Sequence, residues 1–286
     1  EKSVEKKKVP LYQKLIHNYL YFTISLFHPQ KFLDQTIKYV EPLLSVTFTK
    51  FILGTLALLF IMTMGRIDEF FRPMHDMTSL ESLAMIGIVF AFVKLVHEWA
   101  HAYTARKYNI PVPHMGVAFI VLYPVLYTET TDSWRLTDKS KRLAIGLAGI
   151  RAEIFLATIF LLFWHMAPTG GMAQTVSFYV VAVSLVSSLM VNLNPLMRFD
   201  GYYILSDMMG IENMQSRACN FARHALRKAI FALNDPLPEA ATPERTRFLT
   251  IFGFSLLIYR FFLFSGIAAF VFHVVFQPLG AVLAFI

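Results

Sequence analysis

The chain has 286 residues, 56% of them hydrophobic and 16% charged, far from the roughly half apolar and quarter charged mix of soluble domains. A mean hydropathy of +0.53 and 28 phenylalanines exclude an ordinary water-soluble globule, which would expose large apolar patches, and point to a protein with the lipid bilayer as its solvent. The net charge of +7 does not indicate nucleic acid, because the basic residues fall between apolar runs without a basic stripe or a nucleic-acid motif, and the single cysteine, Cys219, excludes an intrachain disulfide.

In chain order, residues 1–45 read as a cytosolic and interfacial N-terminal segment. Its first residues include Glu1, Lys2, Glu5, Lys6, Lys7 and Lys8, without the apolar run and small-residue cleavage site of a secretory signal. The run Leu15 to Phe27 is too short to span and is followed by His28-Pro29, so an amphipathic helix lying on the membrane surface is expected there. Residues 46–207 read as a transmembrane core. A bilayer interior of about 30 Å needs about 20 apolar residues in helix, a pattern found near 46–64, 79–101, 143–165 and 174–193. Residues 208–247 read as a cytosolic connector, with Pro236, Pro238 and Pro243 toward its end. Residues 248–286 hold one further span and the start of another; the apolar sequence runs to Ile286, which suggests that the natural chain continues. The expected fold class is an all-α polytopic membrane protein of about five to six transmembrane helices.

The second span closes on Val96-His97-Glu98-Trp99-Ala100-His101, an H-E-x-x-H pattern. Spacing of i and i+4 puts both imidazoles on one helix face, toward one ion, with Glu98 placed to act as general base. Zinc suits such a set, because three protein ligands leave a fourth position open for a water nucleophile. Ionisable groups in a membrane helix are costly and usually face the bundle interior, which argues against three in one turn serving as decoration. Lys94, one turn earlier, is expected to pair locally or to face a wet cavity. The other histidines (His17, His28, His75, His114, His165, His224 and His273) lack a spaced partner; His114 alone follows the motif helix closely enough to merit a test.

The next segment, Pro111 to Thr131, is not expected to span. Pro111, Pro113 and Pro124 punctuate it, and Gly116 to Tyr123 is rich in β-branched and aromatic residues. It reads either as a strand-bearing or re-entrant segment over the site or as an interfacial loop. In the first arrangement Val117 and Phe119 offer backbone groups for an extended substrate to pair with. The fourth span ends in Asn194-Pro195-Leu196-Met197-Arg198-Phe199-Asp200-Gly201, where a helix break precedes a turn. Arriving from the same side as His97 and His101, Asp200 is the best candidate for the third, carboxylate ligand.

The two motifs together resemble the site-2 protease family of intramembrane zinc metalloproteases, with H-E-x-x-H on one helix and N-P followed by D-G on a later one. The likeness covers roughly residues 79–207. It implies that His97, His101 and Asp200 hold one zinc, that Glu98 is catalytic, that Asn194 helps to hold substrate or transition state, and that a membrane-embedded peptide or protein is cleaved near the cytosolic face. The wording of Tyr127-Thr128 to Leu136 and of Asn194 to Asp207 is similar to the peptide zinc metalloprotease subgroup, whose members often work with a secretion-type periplasmic adaptor. The chain departs from the family at Ala148-Gly149-Ile150-Arg151-Ala152-Glu153, where Gly-Pro and a downstream Asn are common. Arg151 and Glu153 are expected either to form an internal ion pair or to support the zinc site, the pairing being preferred because buried charges seldom stay unpaired.

Lysine and arginine counts in the connections place the N-terminus and the ends of the second and fourth spans in the cytosol, with Met166 to Gln174 outside, for a multi-pass protein of the cell (inner) membrane. Two functions compete: a protease for regulated proteolysis or peptide maturation and export, and a non-catalytic zinc-containing membrane subunit of an export assembly. A metal transporter fits less well, since no chain of ligands crosses the membrane.

Overall fold

A computed structural model describes residues 21–120, 123–232 and 235–273. Its elements run β1 (Tyr21–Phe27), α1 (Gln30–Val40), α2 (Val46–Met64), α3 (Ile67–Phe71), α4 (Leu80–Lys107), β2 (Met115–Ile120), β3 (Tyr123–Thr128), α5 (Lys139–Gly146), α6 (Ala148–Met166), α7 (Met172–Val186) with a π-helical continuation over Ser187–Asn192, α8 (Asp200–Met209), α9 (Met214–Phe231) and α10 (Pro243–Val271). Five of these helices, α2, α4, α6, α7 with its continuation, and α10, are long and apolar enough to cross a membrane. The expected spans are thus present as helices, with shifted ends: the second runs six residues past His101 to Lys107, the third is interrupted at Leu147, and the fifth starts at Pro243. Pro243 stands in the first turn, where its missing N–H costs nothing, behind the Thr242 cap. The connector expected between the last spans itself holds the 18-residue helix α9. Residues 274–286, read as the start of a further span, lie outside the described residues.

The chain divides into two compact units. The first holds the described residues up to Asn194 with Phe199–Ile204; the second holds Pro195–Arg198 and the residues from Leu205 onward. In the second, α9 and α10 pack together, burying Ala218, Phe221 and Ala222 of one and Leu249, Phe252 and Leu256 of the other. In the first, α2, α4, α6 and α7 surround a core of Leu59, Val93, Leu161, Trp164, Phe178 and Tyr179. Phe70 of α3 plugs one end, edge-on to Trp164 and Phe178 at 5.4 and 5.1 Å. Beside it, Arg66 forks onto Glu69 at 2.8 and 2.7 Å and Gln174 donates to the same carboxylate at 2.9 Å, which ties this connection to the start of α7. These donors, Arg66 first, hold the Glu69 carboxyl at about 2, below its usual 4.5.

Helix α4 ends in a way that launches the sheet. Asn109 takes a left-handed φ of 59°, and the Ile110 N–H reaches back to the Ala105 carbonyl at 3.0 Å, a Schellman closure. Ile110, Val112 and Met115 then bury against Leu33, Ala102, Ala105 and Ile145, and the chain enters a three-stranded antiparallel sheet in the order β1-β2-β3. The segment expected to be strand-bearing therefore forms a hairpin. A correction concerns β1: Tyr21 to Phe27 is a strand, not part of a surface helix, and residues 15–20 lie outside the described residues. Tyr-Phe-Thr-Ile-Ser-Leu-Phe combines β-branched and aromatic residues, which suit a pleated ladder once a partner is available. The amphipathic helix comes next, as α1, with Leu33 fully buried and Phe32 edge-on to Trp99 at 5.4 Å.

Candidate metal centre

His97 and His101, one turn apart on α4, are both buried. Their Nε2 atoms lie 3.1 Å from each other, and Asp200 Oδ2, at the start of α8, lies 3.1 Å from the first and 3.4 Å from the second. These three residues form the His/Asp group that could hold a metal ion.

Hydrogen bonding on the far side of each ring decides what those nitrogens carry. His101 Nδ1 faces the Ile145 carbonyl at 2.8 Å, and His97 Nδ1 faces Glu153 Oε1 at 2.9 Å. A carbonyl and a carboxylate only accept, so each Nδ1 carries a proton, and each ring, when neutral, turns an Nε2 lone pair inward. Asp200 Oδ2 is buried with no hydrogen bond among the described residues. With both rings neutral, three lone-pair atoms converge, an arrangement that a cation resolves. Their spacing fits a small one: ligands about 2.0–2.1 Å from a tetrahedral centre stand roughly 3.3 Å apart.

Local backbone explains why these residues meet. A Cβ on Gly149 would fall 2.2 Å from the His97 ring, so the start of α6 lies directly against the imidazole and only glycine fits. A Cβ on Gly201 would fall 2.4 Å from the Leu193 carbonyl group, so the Asp200-Gly201 turn is pressed onto the end of the preceding helix. That helix end is a π segment, closed by Leu193 N–H to the Ser188 carbonyl at 2.9 Å. The wider turn aims Ser187, Ser188 and Asn192 at Glu153. Such segments recur at functional sites.

Glu153 is fully buried and saturated. Besides His97 it accepts from Lys94 Nζ at 2.9 Å, from Asn192 Nδ2 at 3.0 and 2.9 Å, from Ser187 Oγ at 3.4 Å and from Ser188 Oγ. Lys94, which also reaches Asn192 Oδ1 at 3.3 Å, supplies the compensating charge and pairs locally as expected. The preferred pairing of Arg151 with Glu153 is not made. Residues two apart on a helix point to different faces, and Arg151 instead donates to Thr49 Oγ1 at 2.6 Å and to the Ser45 carbonyl at 3.3 Å. The support of His97 by Glu153 is the arrangement found. Asn192 was not singled out by sequence; its signal was two polar positions, Asn192 and Asn194, at the end of an apolar span.

Glu98 is half-buried and its side chain makes no hydrogen bond or ion pair among the described residues. Its carbonyl accepts from Thr128 Oγ1 at 3.0 Å, which fastens the end of β3 to α4. Asn194 lies in the turn between the π segment and Asp200, its N–H bonded to the Val191 carbonyl at 3.2 Å. Val117 and Phe119 require a correction. They lie on β2, the central strand, paired with Ile24 and Phe22 on one side and with Leu126 and Pro124 on the other, so they present no free edge. The edge on the α4 side belongs to β3. There Glu129 N–H bonds the His114 carbonyl at 3.0 Å, continuing the β2–β3 ladder, so by the two-residue alternation Pro124, Leu126 and Thr128 face outward. His114 sits apart from the metal group, near Ser25 Oγ at 3.3 Å and edge-on to His28 at 4.7 Å.

The chain matches no known protein-family profile, no curated protein and no solved structure.

Proposed function

We propose that this protein is an intramembrane zinc metalloprotease of the site-2 type, which hydrolyses a peptide bond of a membrane-embedded protein or peptide. The observation that carries the reading is the convergence of His97 Nε2, His101 Nε2 and Asp200 Oδ2 at 3.1–3.4 Å, with the next residue after His97 a glutamate whose side chain is unengaged among the described residues. A bound zinc ion would supply Lewis acidity, polarising the scissile carbonyl and acidifying water. His97, His101 and Asp200 would hold it. Glu98, next in sequence to a ligand, takes the proton of the attacking water and returns it to the leaving amine. Glu153 keeps the His97 proton on Nδ1 and fixes the ring.

A substrate helix hides its amides in its own hydrogen bonds and must be opened before it is cut. The outer edge of β3, anchored beside Glu98 through Thr128, suits an extended strand of substrate. The lysine and arginine distribution supports placing this end of the bundle at the cytosolic face of the inner membrane; a secretion-type periplasmic adaptor as partner rests on the sequence resemblance alone.

The deciding experiment compares wild-type, Glu98→Gln and His97→Ala chains for bound metal and for cleavage of a transmembrane reporter peptide in reconstituted vesicles. Cleavage lost in Glu98→Gln with metal retained, and both lost in His97→Ala, is the expected pattern. Undiminished cleavage by Glu98→Gln would overturn it. If only loss of metal reproduces the deletion phenotype in cells, the chain is a non-catalytic zinc-containing subunit.

A further inference from the structure

Arg151 has no part in the metal group, and its surroundings are unusual for a cation in a membrane helix. It borders a cavity of about 430 Å³ enclosed by α2, α4, α6 and the turn after α1, with walls that include Leu43, Phe48, Leu53, Trp99, Ala152 and Phe155. That volume lies within the roughly 300–1,000 Å³ of ligand pockets. The walls are almost wholly apolar, and Leu43 and Leu53 at 42% and 47% exposure mark where the cavity meets the outer surface among the described residues.

The cavity is bordered by polar groups that lack full partners among the described residues. Arg151 forms no ion pair among the described residues, and both of its hydrogen bonds leave from one terminal nitrogen, toward Thr49 Oγ1 and the Ser45 carbonyl. The other terminal nitrogen and Nε are open to an acceptor. Thr104, 1% exposed and bordering the same cavity, has a hydroxyl with no hydrogen bond among the described residues. A half-buried guanidinium between apolar walls, without a carboxylate among the described residues, is favoured by an anion at its open nitrogens.

The level of these groups identifies the source. Arg151 and Thr49 are each the fourth residue of their helices, and Thr104 is the fourth from the end of α4. All three therefore lie about one turn, roughly 5 Å, inside the same end of their spans, where hydrocarbon meets headgroup. Trp99 and Tyr103, which also line the cavity, are residues typical of that boundary.

We propose that this cavity is a binding site for an anionic phospholipid of the surrounding bilayer, its phosphate on Arg151 and an acyl chain between α2, α4 and α6. The site is separate from the metal group: His97 and His101 face away from it, while Val96, Trp99, Ala100 and Tyr103 of the same helix face in.

Native mass spectrometry of the full chain in detergent, titrated with dioleoyl phosphatidylglycerol or dioleoyl phosphatidylcholine, tests this. The first phosphatidylglycerol adduct should form at about fivefold lower lipid concentration than the phosphatidylcholine adduct, the factor expected for one basic residue at an anionic headgroup. Arg151→Gln should abolish that preference. Ala152→Phe, which fills the cavity and keeps the guanidinium, should remove the adduct while helicity is unchanged. Equal adducts of the two lipids on the wild type, or an unchanged preference in Arg151→Gln, overturn the proposal. Should Arg151→Gln fail to fold, Ala152→Phe decides: loss of the adduct supports the site and its retention overturns it.

Discussion

At His97 a single imidazole is held from three directions: Glu153 at Nδ1, the bare backbone of Gly149 against the ring, and Asp200 at Nε2. Each contact yields an expectation. Glu153→Gln removes the charge that fixes the His97 proton, so metal affinity measured by chelator competition should fall about 10–100-fold. Gly149→Ala puts a methyl into the ring; metal content should be largely lost, and overpacking should lower stability by about 1–3 kcal/mol in denaturant titration. The candidate ligand group was legible, because H-E-x-x-H and Asp200-Gly201 are each short local patterns. The support was not. Glu153 is 56 residues after His97 in sequence, and only the packing of α6 on α4 decides whether it meets Lys94 and His97 or the nearer Arg151.

Among the elements, the hairpin and the α2–α4 connection respond most directly to substitution. Because β2 is covered on both sides, proline at Val117 or Phe119 would break the sheet without reporting on substrate pairing. Leu126→Pro is the informative change, since it removes an outward N–H from the β3 edge, where proline is tolerated as Pro124 already shows. Reporter cleavage should drop at least tenfold with metal content retained, about the loss of one substrate hydrogen bond. In the connection, Glu69 is held at about 2 against an ordinary 4.5. A carboxyl lowered by folding stabilises the native state above its unfolded value and loses that contribution as pH falls toward the folded one. The melting temperature should therefore decline between about pH 4.5 and 2 more steeply in the wild type than in Glu69→Gln. The helices were readable from apolar length, and the strand character of β2 from the β-branched and aromatic run Gly116 to Tyr123. β1 differs from the helix expected over Leu15 to Phe27 because its partner lies far along the chain, and the alternation of Phe22, Ile24 and Leu26 with Thr23 and Ser25 is short within that longer run.

For the whole molecule, five helices of spanning length were evident in the sequence because bilayer thickness sets a length that composition must satisfy. Orientation follows from charge alone, and cysteine labelling in a Cys219-free background checks it. Positions 139 and 227 should react from the cytosol and position 170 from outside, and labelling of 170 from the cytosol would invert the topology. The sheet carries a consequence for biosynthesis. Ile24 of β1 pairs with Val117 of β2, 93 positions later. At roughly 5–20 residues per second the first strand waits roughly 5–20 s for its partner, while two membrane-length helices, α2 and α4, emerge in between. During that interval Tyr21–Phe27 is an unpaired apolar strand, the kind of segment that invites association between nascent chains. Ribosome-stalled chains ending before Met115 should remain open to protease at this strand, whereas chains long enough to expose β2 should be protected. The order of translation therefore makes the arrival of β2 the step that removes a hazard carried by Tyr21–Phe27.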